Sequence, residues 1–348
     1  MSDSEKSVTM VAALNRALHD ALAADEKVIA FGEDFADREG GGVFGVSNGL
    51  STRFGDSRVR STPISEQAII GAAIGASLVG FRPVVEIMLM NFTAVAMDMI
   101  VNHAAKLRYM SGGQTHVPIT IRTATGAGFG IGGQHSDMLE AWFAHTAGLK
   151  IVVPSNPTDG YGLLTSCIFD DDPCIFVEPL GLLRSKGVLP ATGHRIPLGQ
   201  ANVVREGADV TVITYGRQVA DGLAVADLLA AGGIQVEVID LRTIAPLDMP
   251  TILASARKTG RVVIVHEAVR SFGVGAEISA RITEQLFSAL RAPVQRVCGF
   301  DSPVPYSKPL ETAFLPSRAA IEEAIRSTLL QSSRPLAVRA DVATVPSV

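Results

Sequence analysis

A glycine-rich segment that ends in polar side chains is the first candidate for chemistry in this 348-residue sequence. Residues 126–133 read GAGFGIGG, and residues 134–137 read QHSD. The GxGxxG spacing is present, but a dinucleotide site also needs a helix that begins at once and an acidic residue about 20 positions later. Residues 146–158 contain neither Asp nor Glu. We therefore expect a backbone loop that lines some other ligand, rather than a nicotinamide site.

His135 stands at the end of this loop. Its neighbours are polar, so its side chain should be presented rather than buried, and an imidazole can act as acid or base near neutral pH. A solvated loop histidine is the alternative, and the local sequence leaves both interpretations open. His103 and His145 are interpreted as structural.

Glu66 is a second candidate, in the segment TPISE at 62–66, ahead of a predicted helix. Ser65 is expected to cap that helix, and a glutamate in its first turn would complement the helix dipole. The functional alternative is a carboxylate at a strand-to-helix turn, aimed into the cleft where open α/β sheets bind ligands. Gly71 and Gly75 form a small-residue face that permits close approach to the sheet or to another subunit.

Phe92 follows Asn91 at the start of another predicted helix and is either a core residue or a platform for a ligand ring. Other catalytic patterns are absent from the sequence: there is no GxxxxGK[ST], no HExxH and no GDG motif of a magnesium-diphosphate site. The one GxSxG, at 45–49, lacks the strand and helix that a nucleophile elbow requires.

The elements that must position these residues alternate between short β-rich runs and helix-length segments. Continuous apolar strands between helices predict parallel sheets covered on both faces. One helix is predicted over residues 92–109. We expect an α/β fold of two domains, an N-terminal parallel-sheet domain at 1–190 and a C-terminal α/β domain at 209–330. Residues 191–208 are predicted to be a linker and 331–348 a loosely held tail.

Composition excludes several classes of protein. Hydrophobic residues make up 47% of the chain and the formal net charge is −5, without a basic block, so we expect no nucleic-acid partner. No apolar run reaches the length of a membrane span, and the N-terminus lacks a signal-peptide pattern. Three cysteines without a CxxC pair predict neither a metal cluster nor disulfides. A cytoplasmic protein is expected.

Over about residues 7–330 the sequence resembles the β subunits of the thiamine-diphosphate-dependent first component of 2-oxoacid dehydrogenase complexes, in the transketolase-like superfamily. Ordered blocks at family-like spacing carry the resemblance: FGED (31–34), TPISE (62–66), AAKLRYMSGG (104–113), QHSD (134–137), VIDLRTIAPLD (238–248) and VVIVHEAVRSFGVGAEI (262–278). The resemblance implies a pyrimidine-binding N-terminal domain and a transketolase-C-like second domain.

The resemblance also implies thiamine diphosphate shared with an α subunit, in a heterotetramer of two α and two β chains. The α subunit would hold magnesium, which agrees with the missing GDG motif. Glu66 would hydrogen-bond a pyrimidine nitrogen, Phe92 would stack on that ring, and Ile64 would join the cofactor-binding set. His135 would face the substrate and stabilise charge or supply a proton during acyl transfer to a lipoyl group.

Related β subunits hold potassium mainly through backbone carbonyls, and the matching positions are Ile119, Cys167, Asp170 and Asp172. The implied function is oxidative decarboxylation of a small 2-oxo acid, expected to be pyruvate, with acyl transfer to a lipoyl acyltransferase core that docks on the second domain. An acetoin dehydrogenase β subunit is an alternative, because segment 37–43 is longer and richer in glycine than in pyruvate-type chains. A split transketolase-like carboligase is another alternative.

Overall fold

Two open sheets, each covered by helices, organise the chain, of which the computed structural model describes residues 7–330. In chain order the strands are β1 Ser7–Thr9, β2 Val28–Glu33, β3 Val59–Thr62, β4 Arg82–Leu89, β5 Thr120–Thr125, β6 Lys150–Val152, β7 Cys174–Pro179, β8 Lys186–Val188, β9 Asn202–Arg205, β10 Val210–Thr214, β11 Val236–Asp240, β12 Thr243–Ala245, β13 Val262–Val269 and β14 Gln295–Gly299.

The helices connect these strands. They are α1 Met10–Ala24, α2 Leu50–Phe54, α3 Glu66–Leu78, α4 Leu107–Met110, α5 Gly133–Ser136, α6 Glu140–Ala144, α7 Pro157–Ile168, α8 Gln218–Ala230, α9 Met249–Thr259, α10 Val274–Leu286, α11 Lys308–Phe314 and α12 Arg318–Leu330. None of those within residues 7–330 is both long and apolar enough to cross a membrane.

The first sheet has the strand order β12-β6-β7-β5-β4-β2-β3, and only β12 runs antiparallel to its neighbour. Helices α1 and α7 pack on one face, and α3 packs on the other. Every residue of β5 and β7 is buried, as expected for parallel strands covered on both faces. The predicted α/β class is confirmed.

The second sheet has the order β14-β13-β10-β11-β9, with β9 antiparallel to β11. Helices α8 and α12 cover one face. On the other face Ile264 and Ile278 belong to the same buried cluster as Ile121 and Ile175 of the first unit. The two sheets therefore share a continuous apolar interface, which fixes the second unit against the first.

Two strands lie where the predicted boundaries do not place them. Strand β9 falls inside the predicted linker at 191–208 and extends the second sheet. Strand β12 falls inside the predicted second domain and pairs with β6 of the first sheet. Both are short edge strands, whose few residues give little sequence signal. The domain boundaries stay a prediction, and the tail at 331–348 lies outside the described residues.

The helix predicted over 92–109 is wrong as a single helix. The chain forms a 3₁₀ segment at Met90–Ala96, a π-helical turn at Met99–Ala104 and then α4. The π turn is visible in the bond from the Ala105 amide to the Ile100 carbonyl, at 3.0 Å. Apolar spacing of three and four residues reports which face is buried, and it does not distinguish these hydrogen-bonding patterns.

Helix termini show where capping rules hold. Thr9 caps α1, because its hydroxyl accepts a hydrogen bond from the Ala12 amide at 3.2 Å. Ser65 occupies the N-cap position of α3, but its hydroxyl donates to the Pro63 carbonyl at 3.1 Å instead of capping the helix. The expected side-chain cap at Ser65 is therefore wrong.

Candidate active site

Glu66 begins α3 directly after the carboxyl end of β3 and borders an open cavity. The cavity measures about 720 Å³, and its wall includes Ile64, Val95 and Met99. Ile64 is 75% exposed and Val95 is 59% exposed. Glu66 itself is half-buried in this chain. The cavity is therefore one wall of a site, with apolar side chains that nothing in the described chain covers.

A second carboxyl group, Glu33, lies near Glu66 at the end of the neighbouring strand β2. In the strand register Glu33 stands opposite Thr62, four residues before Glu66. Burial raises the pKa of Glu33, and the neighbouring charges of Asp34 and Glu66 raise it further. The FGED block at 31–34 contains Glu33, but the sequence gives it no role. The carboxyls of Glu33 and Glu66 are brought together only by the parallel pairing of β2 with β3.

Phe92 and His135 meet on the same edge of the first sheet. Their ring centroids are 5.4 Å apart and their planes are inclined by 79°, an edge-to-face contact. His135 is half-buried, and its Nδ1 atom is buried without a hydrogen-bond partner in the part of the chain that the structure describes. This arrangement leaves a histidine nitrogen free beside an aromatic ring, rather than a fully solvated loop side chain.

Asn91 fixes the short helix α5 that carries His135. Its amide nitrogen donates to the Gly133 carbonyl and to the Asp137 carboxylate, at 2.9 Å each. In return its side-chain oxygen accepts the Asp137 amide at 3.2 Å, and Thr125 donates to the Asp137 carbonyl at 2.7 Å. Burial raises the pKa of the Asp137 carboxyl, while the bond from Asn91 lowers it. These positioning residues escaped sequence reasoning, since their partners lie 12 to 46 positions away.

The glycine-rich loop does not offer its amides to a ligand as expected. The amide of Ala127 donates to the Glu267 carboxylate at 2.5 Å. The amides of Gly128 and Gly130 both donate to Glu311, at 2.6 and 3.0 Å. An anion-binding arrangement of backbone amides is thus already filled by carboxylates of the chain itself.

Below the site, Arg122 of β5 joins two buried carboxylates of the neighbouring strands. It donates to Glu178 at 2.7 Å and to Glu86 at 2.8 Å. Burial and the adjacent Glu86 raise the pKa of Glu178, while Arg122 lowers it. A signal for this cluster was present in the sequence, because Glu86, Arg122 and Glu178 are charged residues within strands of a sheet that is expected to be covered on both faces.

Comparison with known proteins gives the same two-part division. The model of the transketolase pyrimidine binding domain matches residues 6–186, and that of the transketolase C-terminal domain matches 199–321. The acetoin:2,6-dichlorophenolindophenol oxidoreductase β subunit of Cupriavidus necator is 45% identical, over 91% of this chain and 96% of that protein. The 3-methyl-2-oxobutanoate dehydrogenase β subunit of Mycobacterium tuberculosis is 46% identical, over 95% and 94%. The chain belongs to the family of thiamine-diphosphate-dependent 2-oxoacid dehydrogenase β subunits.

Two further comparisons place this β subunit within its family. A pyruvate dehydrogenase first-component β subunit from Bacillus subtilis is 43% identical, over 92% of this chain and 98% of that protein. Among solved structures, a split-gene transketolase, in an inactive tetramer of β chains, has a TM-score of 0.75. It is 21% identical and covers 93% of this chain and 99% of its own, so this likeness shows the fold.

The residues of the open cavity fit one half of thiamine diphosphate. The half-buried Glu66 carboxylate can pair with a ring nitrogen, and the exposed Ile64 of the cavity wall suits one face of a flat heterocycle. Phe92 is not part of the cavity wall; its ring contacts His135. The cavity wall contains no lysine or arginine for a diphosphate. Within residues 7–330 no cluster of three or more His, Cys, Asp or Glu side chains is arranged to hold a metal ion. These observations fit the aminopyrimidine half of the cofactor and not the diphosphate half.

The positions expected to offer carbonyls to potassium surround the loop before β7: Ile119, Cys167, Asp170 and Asp172. The Ile119 carbonyl accepts a hydrogen bond from the Cys174 amide at 2.9 Å. The Asp170 carbonyl accepts one from Arg82 at 2.9 Å. A carbonyl oxygen has two lone pairs, so each of these two carbonyls retains an acceptor position. The potassium site stays a prediction.

Proposed function

We propose that this β subunit serves a heteromeric enzyme that oxidatively decarboxylates a small 2-oxo acid, pyruvate, and passes the acyl group to a lipoyl acyltransferase. The observation that carries the proposal is the half-site itself. Glu66 borders an open apolar cavity, and the Phe92–His135 pair lies on the same edge of the sheet. The relatives named above act on pyruvate, 3-methyl-2-oxobutanoate or acetoin. They share the class of enzyme subunit and differ in the substrate.

Thiamine diphosphate, when bound, supplies a carbon that attacks the substrate carbonyl and accepts the electrons released on decarboxylation. The chain contributes the groups around it. Glu66 would hold a proton at a ring nitrogen, Phe92 would support the ring face, and Ile64 would exclude water beside it. The unpartnered Nδ1 of His135 would donate or accept a proton on the substrate side.

The α subunit would supply the parts that this chain lacks. The exposed apolar wall at Ile64 and Val95 requires a covering partner, and the diphosphate requires magnesium and basic or polar ligands. Both would come from the α subunit. Potassium at the carbonyls before β7 and a lipoyl acyltransferase core docked on the second unit complete the proposed assembly.

The acetoin alternative rests on the relative from Cupriavidus necator and on the glycine-rich segment 37–43. In the structure Asp37 anchors this segment by accepting the amides of Gly49 and Thr52, at 2.5 and 2.7 Å. The carboligase alternative rests only on the fold shared with a split transketolase. These proposals differ in the substrate that is consumed and in the molecule that accepts the acyl group.

The test is reconstitution of the β subunit with its α partner. The assembled enzyme should reduce dichlorophenolindophenol with pyruvate and acylate lipoamide, and 3-methyl-2-oxobutanoate and acetoin are assayed beside it. Turnover with acetoin alone would support the alternative, and transfer to an aldehyde without lipoamide acylation would support a carboligase.

Calorimetry on the isolated β subunit supplies the matched control. We expect weak or no binding of thiamine diphosphate with or without magnesium. Tight, magnesium-dependent binding by this chain alone would contradict the half-site on which the proposal rests.

A further inference from the structure

The glycine-rich loop at 126–133 connects β5 to the helix that carries His135, and its backbone has little intrinsic shape. Positive φ angles alternate along it, at Gly126 (121°), Gly128 (119°), Gly130 (67°) and Gly132 (75°). Glycine adopts such angles readily but also many others, so the loop loses much conformational entropy when it is fixed. Something outside the loop must therefore select this one conformation.

The selecting contacts come from the second unit. Glu311 of α11 accepts the amides of Gly128 and Gly130 through a single carboxylate oxygen. Glu267 of β13 accepts the amide of Ala127. Cations of the same unit bind the intervening carbonyls, Arg217 on Ala127 at 3.2 Å and Lys308 on Gly128 at 2.9 Å.

The far end of the loop is fixed by shape. A Cβ atom added at Gly132 would lie 2.3 Å from the Tyr306 ring, and one at Gly133 would lie 2.9 Å from Pro303. The amide of His135 donates to the Gly132 carbonyl at 3.1 Å, so the histidine continues directly from this clamped turn.

The carboxylates that hold the loop are themselves buried. Glu311 is 1% exposed and Glu267 is 5% exposed. A buried carboxylate is costly unless it is hydrogen-bonded, and the loop amides are its partners. Loop and carboxylates thus stabilise each other, and neither element would keep its present position without the other.

We propose that Glu311, assisted by Glu267, is a positioning residue that fixes the glycine loop and, through it, the placement of His135 against Phe92. The second unit would thereby control the histidine of the first. The consequence for acyl transfer rests on the proposed function, whereas the consequence for the loop does not.

The experiment uses the full-length chain in three variants. Glu311→Ala removes the acceptor, Glu311→Gln keeps an amide oxygen that can accept the same amides, and Glu323→Ala on the exposed face of α12 is the control. Amide hydrogen exchange of residues 126–135 is measured without cofactor or partner. We expect exchange to increase about tenfold or more in Glu311→Ala, less in Glu311→Gln, and not at all in Glu323→Ala.

In the assembled enzyme Glu311→Ala should lower kcat/KM for lipoamide acylation about tenfold, with a smaller loss in decarboxylation measured with an artificial acceptor. Glu311→Gln should restore most of it. If Glu311→Ala does not fold, Lys308→Met, at a 70% exposed side chain, loosens the same loop and should increase its exchange.

Loop exchange unchanged in every folded variant would overturn the positioning role. Equal losses of acylation in the alanine and glutamine variants would overturn it as well. Glutamine keeps an oxygen that can accept the loop amides and alanine does not, so a positioning role requires the two variants to differ. Absence of lipoamide acylation in the wild-type assembly would refute the proposed function instead, and the exchange data would then decide the positioning role by themselves.

Discussion

The two sides of the candidate site differ in whether contacts within this chain cover them. On the glycine-loop side, the chain's own carboxylates take the loop amides, and Tyr306 and Pro303 pack against the glycines. On the Glu66 side, Ile64 and Val95 face outward around an open cavity. The glycine-loop side, called here the closed side, is completed by the folding of this chain. The Glu66 side, called here the open side, is left open by this chain, and in our proposal a second protein and a cofactor complete it.

The small-residue face of α3, formed by Gly71 and Gly75, is also left uncovered in the described part of the chain. Among residues 7–330, an added Cβ at Gly71 would touch only Met99, and one at Gly75 would meet no atom within 4 Å. Leu78 and Val79 beyond them are 48% and 76% exposed. Of the two uses open for this face, close packing by another subunit is therefore the one that these exposed residues favour.

The largest effect is expected from Glu66→Gln on the open side. Glutamine cannot share a proton with a ring nitrogen as a carboxyl can, so we expect exchange at the thiazolium carbon of the assembled enzyme to fall about a thousandfold, or about 4 kcal/mol. Hydrogen–deuterium exchange of the bound cofactor measures it. The isolated variant should unfold at the wild-type urea concentration, and exchange within about threefold of wild type would remove Glu66 from the mechanism.

The buried ion cluster of Arg122, Glu86 and Glu178 below the site should give the next largest effect. Arg122→Met leaves Glu86 and Glu178 buried without their cation, which should destabilise the chain by about 3 kcal/mol or more. Urea unfolding of the isolated chain measures this. Arg326→Met, which breaks an exposed pair with Glu322, is the matched control and should cost about 0.5 kcal/mol or less. Equal effects would show that the cluster is solvated.

His135→Ala tests whether the histidine at the end of the glycine loop takes part in the same reaction as Glu66. We expect lipoamide acylation to fall about tenfold or more, and decarboxylation with dichlorophenolindophenol to change less, because the proposal gives the histidine beside Phe92 the proton transfer on the substrate side. Parallel assays of the assembled variant measure both rates. Equal losses would indicate general positioning, and unchanged rates would return His135 to a solvated loop residue.

Glu267→Gln tests the closed side through pH. Burial raises the pKa of Glu267 to about 7, and Glu140 and Glu311 reinforce this while the Ala127 amide and Arg217 oppose it. A raised carboxyl pKa means that the folded state binds the proton more tightly, so wild-type stability should fall as pH rises from about 4.5 to 7. Glutamine does not titrate.

The variant should therefore gain stability relative to wild type across that window, by about 3 kcal/mol in total, and should gain no more above it. Urea unfolding at intervals between pH 4.5 and 8 measures the difference. Asp240→Asn is the control, because the pKa of Asp240 is also raised to about 7 while its partners are Ser155 and Arg242. It should reproduce the pH trend without changing exchange in the glycine loop.

The sequence was sufficient for the α/β class and for the family, but not for the irregular helical segment at 90–110, the edge strands β9 and β12 or the closed side. Long apolar strands and capped helices such as α1 carry their own signals, so the α/β class followed from local pattern. Glu66, Phe92 and His135 followed from resemblance. By contrast, Glu311 meets Gly128 across 183 positions, and nothing in either segment indicates the other. The loop's role as an internal anion site follows only from tertiary packing.

Ile64→Ala has the smallest expected effect, and it tests the difference between the closed side and the open side most directly. Ile64 is 75% exposed, so Ile64→Ala should leave urea unfolding of the isolated chain unchanged. In the proposed assembly the same side chain would be buried against cofactor and partner, and its loss should weaken thiamine diphosphate binding about threefold to tenfold. Calorimetry on the assembled apoenzyme measures the affinity, and Leu228→Ala, 60% exposed on α8, is a control that should change neither quantity. Destabilisation of the isolated chain by Ile64→Ala would mean that the chain itself packs this wall, and the distinction between a closed side and an open side would fail.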